Sequence, residues 1–571
     1  MPTMPRPVTL LFAVFVFVGS FAHAQVATIP AAAPILGRNG MVVAAEQRAA
    51  RIGVEILDRG GNAVDAAVAV GFALAVTYPG AGNIGGGGFM VIHLADGNRN
   101  TSIDYRETAP AAATLTMFLD AQGSPDPKKS RDSGLSVGVP GTVAGLALAE
   151  QEYGSGKFKL ADLIAPAIKL AQQGFPVSDD LADSLPRARD RLTRWPSSAA
   201  VEKNGGQAPR ESDRLLQFDL ADTLRTIAEK GPAAFYRGDI ADKIAAAVRD
   251  AGGTMTAKDL NDYRAIERSV VHGTYRGADI VSMAPPSSGG IALIEMLNIL
   301  EGYDLAKMGR GAEALHVEIE AMKRAYADRA VFMGDPATVK IPVAGLTSKT
   351  YAAALRAGIT GKATPAADIA PGKPADYEGH NTTHFSVIDR DGNAVSNTYT
   401  LNFYYGLGLV ADGTGVLLNN ELDDFTAKPG TANAYGLVGT NDNNLPGPGK
   451  RPLSSMTPAI VLKDGKPFIV TGSPGGSRII TAVLQVITNV VDFHMGIAAA
   501  VSAPRLHNQW QPDQTYAEPG FDPAVLDALK ARGHKIVPTE PHTAANSIEA
   551  TKNGYVGAAD ARARGAVAAG Y

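Results

Sequence analysis

Residues 381–402 read Asn-Thr-Thr-His-Phe-Ser-Val-Ile-Asp-Arg-Asp-Gly-Asn-Ala-Val-Ser-Asn-Thr-Tyr-Thr-Leu-Asn, two β-favouring runs around a short polar turn. The turn residues Asp391-Gly392-Asn393 tolerate positive φ, so the stretch predicts a β-hairpin. Counting outward from the turn, with a slip of one residue allowed, places Thr382 opposite Thr400. Two hydroxyl groups are therefore expected to meet at one end of the hairpin.

Thr382 is a weak nucleophile while its nitrogen is part of a peptide bond, because no sequence neighbour is an obvious base for its hydroxyl. Cleavage just before it would free an α-amino group with a pKa of roughly 7.7 to 8.0, close enough to neutrality to accept the hydroxyl proton. This is the threonine and N-terminal amine arrangement for acyl transfer. Taken alone, the stretch also fits an ordinary hairpin whose threonines only favour strands.

Four blocks of sequence follow one another in an order typical of one enzyme family. They are Asn381-Thr382-Thr383-His384, Leu417-Leu418-Asn419-Asn420-Glu421-Leu422-Asp423-Asp424-Phe425, Lys450-Arg451-Pro452-Leu453-Ser454-Ser455-Met456 and Thr471-Gly472-Ser473-Pro474-Gly475-Gly476-Ser477-Arg478. Together with Asp104-Tyr105-Arg106-Glu107 and the chain end Ala569-Gly570-Tyr571, they resemble the γ-glutamyltransferases of the N-terminal-nucleophile hydrolase superfamily. The resemblance covers nearly the whole mature chain.

The resemblance implies that the precursor cuts itself between Asn381 and Thr382. The Thr382 hydroxyl would attack the preceding carbonyl, and water would hydrolyse the resulting ester. The products would be a large subunit of residues 25–381 and a small subunit of residues 382–571, associated as a heterodimer.

The fold class that the sequence itself predicts is α+β, because antiparallel hairpins are surrounded by segments with helical periodicity. The predicted hairpins span residues 89–105, 382–400, 459–470 and 547–556. The resemblance implies a more specific architecture, the four-layer α-β-β-α sandwich of N-terminal-nucleophile hydrolases, formed jointly by two subunits from one precursor.

The resemblance assigns catalytic roles to four residues. Thr382 is the nucleophile, Thr400 hydrogen bonds and tunes it, and Gly475 and Gly476 hold the oxyanion of the tetrahedral intermediate. Glycines suit that task because their backbone N–H groups can approach a ligand with no side chain in the way. As an isolated motif, these glycines would be only a strand-to-helix turn.

Substrate-binding roles also come from the resemblance. The residues that grip the α-carboxylate are Arg106, Ser454 and Ser455, those that accept from the α-ammonium are Asn402, Glu421 and Asp424, and Tyr435 belongs to a polar lid over residues 428–449. A two-pronged guanidinium suits a carboxylate. Relatives vary between Glu and Gln at position 421, which makes Glu421 the least secure of these assignments.

No cofactor and no metal are expected. The spacing of His380 and His384 would suit two ligands on a helix, but their region reads as loop and strand, and the other histidines show no recognisable cluster. The run Gly80-Ala81-Gly82-Asn83-Ile84-Gly85 matches GxGxxG by letter only, because an apolar helix precedes it and a strand follows it. Close backbone packing is the better interpretation of these glycines.

Composition and charge narrow the partners. The 571 residues carry a net charge of -4 with no long basic run, which argues against a nucleic acid or an anionic membrane. With no cysteine in the chain, the candidate nucleophiles are Ser, Thr and Lys.

The first 24 residues resemble a secretory signal peptide. They combine Arg6, an apolar run over residues 8–21 and the A-x-A site Ala22-His23-Ala24. We therefore expect export without a stable membrane anchor, to the periplasm if the source is a Gram-negative bacterium and otherwise to the medium. A retained anchor is the alternative.

The implied reaction is cleavage of the γ-glutamyl amide of glutathione and related γ-glutamyl compounds, with transfer to water, an amino acid or a dipeptide. One alternative is a cephalosporin acylase of the same superfamily, which accepts a glutaryl group that lacks the α-ammonium. The presence of Asn402, Glu421 and Asp424 favours the transferase. A non-catalytic exported solute-binding protein also fits the size and the signal, but it would not cut itself.

Overall fold

Two seven-stranded antiparallel sheets form the centre of the protein. The structure is a computed structural model that describes residues 29–198, 209–369 and 382–571. The predicted signal peptide, residue His380 and the residue before the proposed cut, Asn381, lie outside these described residues.

The strands of the described chain are, in order, β1 Ile35–Gly37, β2 Met41–Ala44, β3 Gly87–Leu94, β4 Arg99–Asp104, β5 Phe175–Pro176, β6 Arg214–Leu215, β7 Ile266–Arg268, β8 Val271–Tyr275, β9 Ala278–Ser282, β10 Thr383–Ile388, β11 Ala394–Thr400, β12 Val410–Ala411, β13 Val416–Leu417, β14 Ala459–Lys463, β15 Lys466–Thr471, β16 Leu506–His507, β17 Thr515–Ala517, β18 Ile536–Pro538, β19 Ser547–Thr551, β20 Gly554–Ala558 and β21 Val567–Gly570. One large sheet has the order β1-β20-β19-β15-β14-β9-β8, and the other has the order β21-β2-β10-β11-β3-β4-β7. Each large sheet therefore contains strands from both sides of the Asn381–Thr382 bond.

The helices of the described chain are, in order, α1 Gln47–Asp58, α2 Ala63–Thr77, α3 Pro127–Arg131, α4 Thr142–Tyr153, α5 Leu160–Gln173, α6 Asp179–Leu192, α7 Phe218–Lys230, α8 Ala233–Tyr236, α9 Asp239–Asp250, α10 Ala257–Asp262, α11 Gly289–Leu300, α12 Leu305–Met308, α13 Ala312–Phe332, α14 Val343–Leu346, α15 Lys349–Ala357, α16 Ala366–Ile369, α17 Ile479–Val491, α18 Ile497–Ser502 and α19 Pro523–Ala531. Helices α1, α2 and α4 pack on the β2-β10-β11-β3 sheet, and α11 and α17 pack on the other sheet.

Strand β2 shows how one short segment serves two cores. Its residues Val42 and Ala44 pack with the first helical layer, whereas Met41 and Val43 face the second sheet. This follows from the two-residue period of a strand, which sends successive side chains to opposite faces. Because the sheets contact each other through one face and helices through the other, the predicted α-β-β-α sandwich is confirmed.

The hairpin over residues 382–400 is confirmed and lies at the centre of its sheet. Strand β10 pairs with β11 in a register that aligns Thr383 with Tyr399, and continuing it by one residue places Thr382 opposite Thr400. The predicted hairpins over residues 89–105, 459–470 and 547–556 are also present.

Candidate active site

The expected site residues converge on one small pocket at the end of the central hairpin. Its lining is Arg106, Thr382, Thr400, Asn402, Glu421, Asp424, Tyr435, Ser454, Ser455, Met456, Gly476 and Ile479. The pocket has a volume of about 20 Å³. Of the sequence-predicted residues that the structure describes, Gly475 alone lies outside this lining, and it lies with Thr382 in a cleft next to the pocket.

Arg106 is the charged centre of the pocket. It follows the end of β4, is fully buried, and donates from Nη1 to Glu421 and from Nη2 to Asp424. Burial alone would lower the pKa of Arg106, but the carboxylates of Glu421, Asp424 and Glu107 outweigh that effect and raise it. The residues expected to bind opposite ends of a substrate therefore bind each other.

Three acidic side chains around Arg106 are buried, although clustered carboxylates are usually exposed. Burial raises the pKa of Glu421 well above its ordinary value and also raises that of Asp424. Burial raises the pKa of Glu107, whose Oε2 lies 3.9 Å from Arg106 Nη1, to about 8.

The Ser454-Ser455 pair is held by residues that the sequence did not single out. Ser288 donates from Oγ to the Ser454 carbonyl at 2.7 Å, and Arg329 donates to Ser288 Oγ at 2.9 Å and to Ser455 Oγ at 3.4 Å. Burial lowers the pKa of Arg329 to about 10. Arg329 lies within α13, where no motif marks it, so only the packing of that helix shows its place beside the pocket.

Tyr435 closes the pocket from the polar loop over residues 428–449. Its hydroxyl donates to Asn402 Oδ1 at 2.5 Å, and Asn402 in turn donates from Nδ2 to the Asn420 carbonyl at 2.9 Å. Asp423 Oδ2 accepts from the Ala434 N–H at 3.1 Å, which ties the loop to the turn that carries Glu421. The loop predicted as a lid therefore lies over the pocket.

Gly475 and Gly476 have φ angles of 132° and 55°, which L side chains rarely adopt. A Cβ at Gly476 would lie 2.4 Å from the Tyr435 ring, so the close approach of the lid needs a glycine here. The helix after this strand does not start directly behind the two glycines. A 3-10 turn over Gly476–Arg478 comes first, and α17 begins at Ile479.

Thr382 also borders an open cleft of about 890 Å³ on the other side of the hairpin end. Helix α6 forms one wall, Phe403 and Tyr404 lie beside it, and the Pro541–Ala544 segment lines the cleft as well. Thr382 therefore borders both the small pocket and the larger cleft.

Among the described residues, two histidines and a glutamate form a group that the sequence spacing did not reveal. His316 and His534, 218 residues apart, hydrogen bond at 2.7 Å beside Glu320. The Glu320 carboxylate also accepts from Arg324 at 2.7 Å and lies 3.4 Å from Lys323, so cations already neutralise it. His384 is buried instead between Thr398 and Ser386, away from this group.

The layered sandwich, with a buried threonine at the end of a central strand, is the architecture of the N-terminal-nucleophile hydrolases. The cephalosporin acylase from Bacillus halodurans superposes with a TM-score of 0.82 at 28% identity, over 100% of this chain and 99% of that one. The γ-glutamyltranspeptidase from Helicobacter pylori gives a TM-score of 0.55 at 48% identity, over 57% of this chain and 93% of that one.

Sequence comparison defines the family within this class. Residues 49–570 match the family described as Gamma-glutamyltranspeptidase. The Escherichia coli (strain K12) protein named glutathione hydrolase proenzyme is 51% identical over 542 residues, 94% of this chain and 93% of that protein. The chain belongs to the γ-glutamyltranspeptidase family, whose members are enzymes.

Among the described residues, none of the helices combines the length and the apolar character needed to span a membrane.

Proposed function

We propose that this chain is a self-processing γ-glutamyltransferase that cleaves glutathione and related γ-glutamyl compounds. The observation that carries the proposal is the position of Thr382, which borders a pocket containing both a cation and carboxylates, and also borders an open cleft. A γ-glutamyl group carries a carboxylate and an ammonium, so its charges match those of the pocket.

Substrate binding exchanges ion pairs. The α-carboxylate of the donor replaces Glu421 and Asp424 on Arg106 and accepts hydrogen bonds from Ser454 and Ser455. The α-ammonium of the donor then pairs with Asp424 and Glu421 and donates a hydrogen bond to Asn402. Because the pocket charges already neutralise one another, a group that brings only one charge would leave a buried partner unpaired, which is costly.

Processing comes first. Thr382 Oγ attacks the Asn381 carbonyl, the peptide C–N bond breaks, and water hydrolyses the ester to leave a carboxylate on Asn381 and a free amine on Thr382. The large subunit of residues 25–381 and the small subunit of residues 382–571 stay together, because both contribute strands to each sheet. The signal-like residues 1–24 support export before or during this step.

In turnover, the α-amino group of Thr382 takes the hydroxyl proton as Oγ attacks the γ-carbonyl carbon of the donor. Gly475 and Gly476 N–H groups bind the oxyanion, and Thr400 positions the nucleophile. The bond to the leaving amine breaks, and the amine takes the proton. Water or an acceptor amine then attacks the γ-glutamyl-threonine ester and releases Thr382.

Cleavage of glutaryl amides, as by an acylase, is the second candidate, because the Bacillus halodurans acylase shares the fold over the full chain. It differs in one chemical respect, since a glutaryl group has no α-ammonium to replace Arg106 on Glu421 and Asp424. Turnover of γ-glutamyl and glutaryl p-nitroanilides separates the two functions. Faster γ-glutamyl cleavage supports the transferase, and faster glutaryl cleavage overturns it.

Intact mass of the purified wild type and of Thr382→Ala tests the processing step. The wild type is expected as two fragments, one of them starting at Thr382, and the variant as one inactive chain. Thr382→Ser is the matched control, because it keeps a hydroxyl and is expected to process. An active wild type without a chain starting at Thr382 would contradict the proposal.

A further inference from the structure

The open cleft beside Thr382 carries more positive than negative charge. Its lining contains the arginines Arg131, Arg187, Arg191, Arg194, Arg562 and Arg564 and the acids Asp132, Asp180 and Asp190. With its volume of about 890 Å³, the cleft has room for a dipeptide.

Four of these arginines already bind carboxylates. Arg131 pairs with Asp423 at 3.2 Å, and Arg194 pairs with Asp132 at 3.0 Å. Arg562 pairs with Glu518 and Asp560, and Arg564 pairs with Asp183, each with a closest distance of 2.7 or 3.0 Å. Their charges are accounted for within the protein.

Arg187 and Arg191 differ from these four, because neither has a carboxylate of the described residues within ion-pair distance. Asp180 acts on Arg187 and Asp132 acts on Arg191 only at longer range. Both belong to α6 and are four residues apart, so they lie on the same face of that helix. Asp180 and Asp190 lie on the same wall, and Asp180 is shared with Arg564 at 3.8 Å.

Arg191 is also partly withdrawn from water. Its guanidinium lies 4.8 Å from the centre of the Phe403 ring, and its Nη1 donates to the Gly406 carbonyl at 2.6 Å. Burial lowers the pKa of Arg191. A partly desolvated guanidinium without a paired carboxylate attracts an anion more strongly than a solvated one does.

We propose that Arg187 and Arg191 bind the carboxylate of the amino-acid or dipeptide acceptor, and the carboxylate of the leaving half of a peptide donor. This inference rests on the proposed function and adds the residues that bind the acceptor. The acceptor amine attacks the ester carbon, a C–N bond forms, the C–Oγ bond of Thr382 breaks, and the amine proton passes to Oγ. The two arginines orient the acceptor and take no part in these bond changes.

The test uses the mature enzyme with γ-glutamyl-p-nitroanilide, whose leaving group carries no carboxylate. Acceptor-stimulated release of p-nitroaniline is measured with glycylglycine and with glycylglycinamide, which lacks the carboxylate. In the wild type, the KM for glycylglycine is expected to be about tenfold lower than that for the amide. In the double variant Arg187→Gln, Arg191→Gln, this difference should fall below about twofold, with hydrolysis in the absence of acceptor retained.

Arg189→Gln is the matched control, because position 189 points about 200° around α6 from both arginines. It should leave both acceptor KM values unchanged. Arg187→Gln alone keeps the Arg191 contact with Gly406, so it tests the inference if the double variant does not fold, and about a threefold loss for glycylglycine alone is expected.

Equal KM values for the two acceptors in the wild type overturn the inference alone. So does an equal rise of both KM values in a variant, because a general distortion would produce it. A wild type that releases no p-nitroaniline overturns the proposed function itself, and the inference with it.

Discussion

The pocket and the cleft that meet at Thr382 differ in volume and in how their charges are paired. The pocket has a volume of about 20 Å³, and its cation and carboxylates neutralise one another. The cleft has a volume of about 890 Å³. Two of its arginines, Arg187 and Arg191, have no carboxylate of the described residues within ion-pair distance. A small, self-neutralised pocket admits only a group that can replace both sides of its ion pairs, whereas a larger cleft with unpaired arginines selects by a single charge.

Under the proposed function, this difference predicts two kinds of selectivity on the two sides of Thr382. The donor must match a fixed arrangement of charges, so we expect narrow donor specificity. The acceptor needs an amine and a carboxylate within a wide space, so we expect broad acceptor specificity. Variants on either side of Thr382 should therefore change one half of the reaction and leave the other half unchanged.

The largest effect is expected for Asp424→Asn, which tests whether the pocket recognises the donor by exchange of ion pairs. Removing one member of a buried ion pair costs about 3 to 5 kcal/mol, so kcat/KM for γ-glutamyl-p-nitroanilide should fall by about 10² to 5 × 10³-fold. Glu421→Gln is the contrast, with a loss of about threefold or less, because the family resemblance implies that both Glu and Gln occur at this position. Similar losses in the two variants would contradict this account.

Gly476→Ala tests the boundary between the pocket and the lid. The added Cβ would lie 2.4 Å from the Tyr435 ring at a φ of 55°, so the backbone must shift, and kcat should fall by about 10²-fold. Gly430→Ala is the control, because its φ of 80° is also positive but no atom lies within 4 Å of the added Cβ. It should lower stability by about 1 kcal/mol and preserve kcat.

Tyr435→Phe tests the closure of the pocket. The variant loses the hydrogen bond from the Tyr435 hydroxyl to Asn402 Oδ1, so the donor KM should rise by about tenfold while the acceptor KM stays within twofold. Tyr153→Phe removes a phenol contact with Glu267 on the surface and should change neither value. A parallel rise of the donor and acceptor KM would show that the lid serves both spaces.

The smallest effect is a pH dependence from Glu107. Its ordinary pKa of 4.5 is raised to about 8, so the carboxyl is neutral at pH 7 and ionises above pH 8. The new anion competes with the donor carboxylate for Arg106, so the donor KM of the wild type should rise by about fivefold relative to Glu107→Gln between pH 7 and 9. Dividing the donor KM of the wild type by that of Glu107→Gln at each pH cancels the effect of substrate titration.

The same pKa shift predicts the sign of a stability change. A raised pKa in the folded state stabilises the protein below pH 4.5, and this contribution is lost as the pH rises toward 8. Melting temperatures should therefore fall with pH more steeply for the wild type than for Glu107→Gln across this window. A constant difference would show that Glu107 does not titrate there.

Local patterns predicted the hairpins and the main helices well, because turn residues and apolar spacing act over a few residues. The hairpins over residues 382–400 and 459–470 form as predicted. The 3-10 turn over Gly476–Arg478 was not predicted, because it depends on the tertiary contact between Gly476 and the Tyr435 ring. The role assignments came from family resemblance, and no single motif would have supplied them.

By itself, the sequence determined the central hairpin, its register to within one residue and the alternation that lets each strand face two cores, because these follow from periodicity and turn chemistry. Only the tertiary structure decided that Arg106 pairs with Glu421 and Asp424, that Arg329 supports Ser455, and that Arg187 and Arg191 face the cleft. These contacts join residues far apart in the chain, and the packing of sheets and helices around Thr382 brings them together.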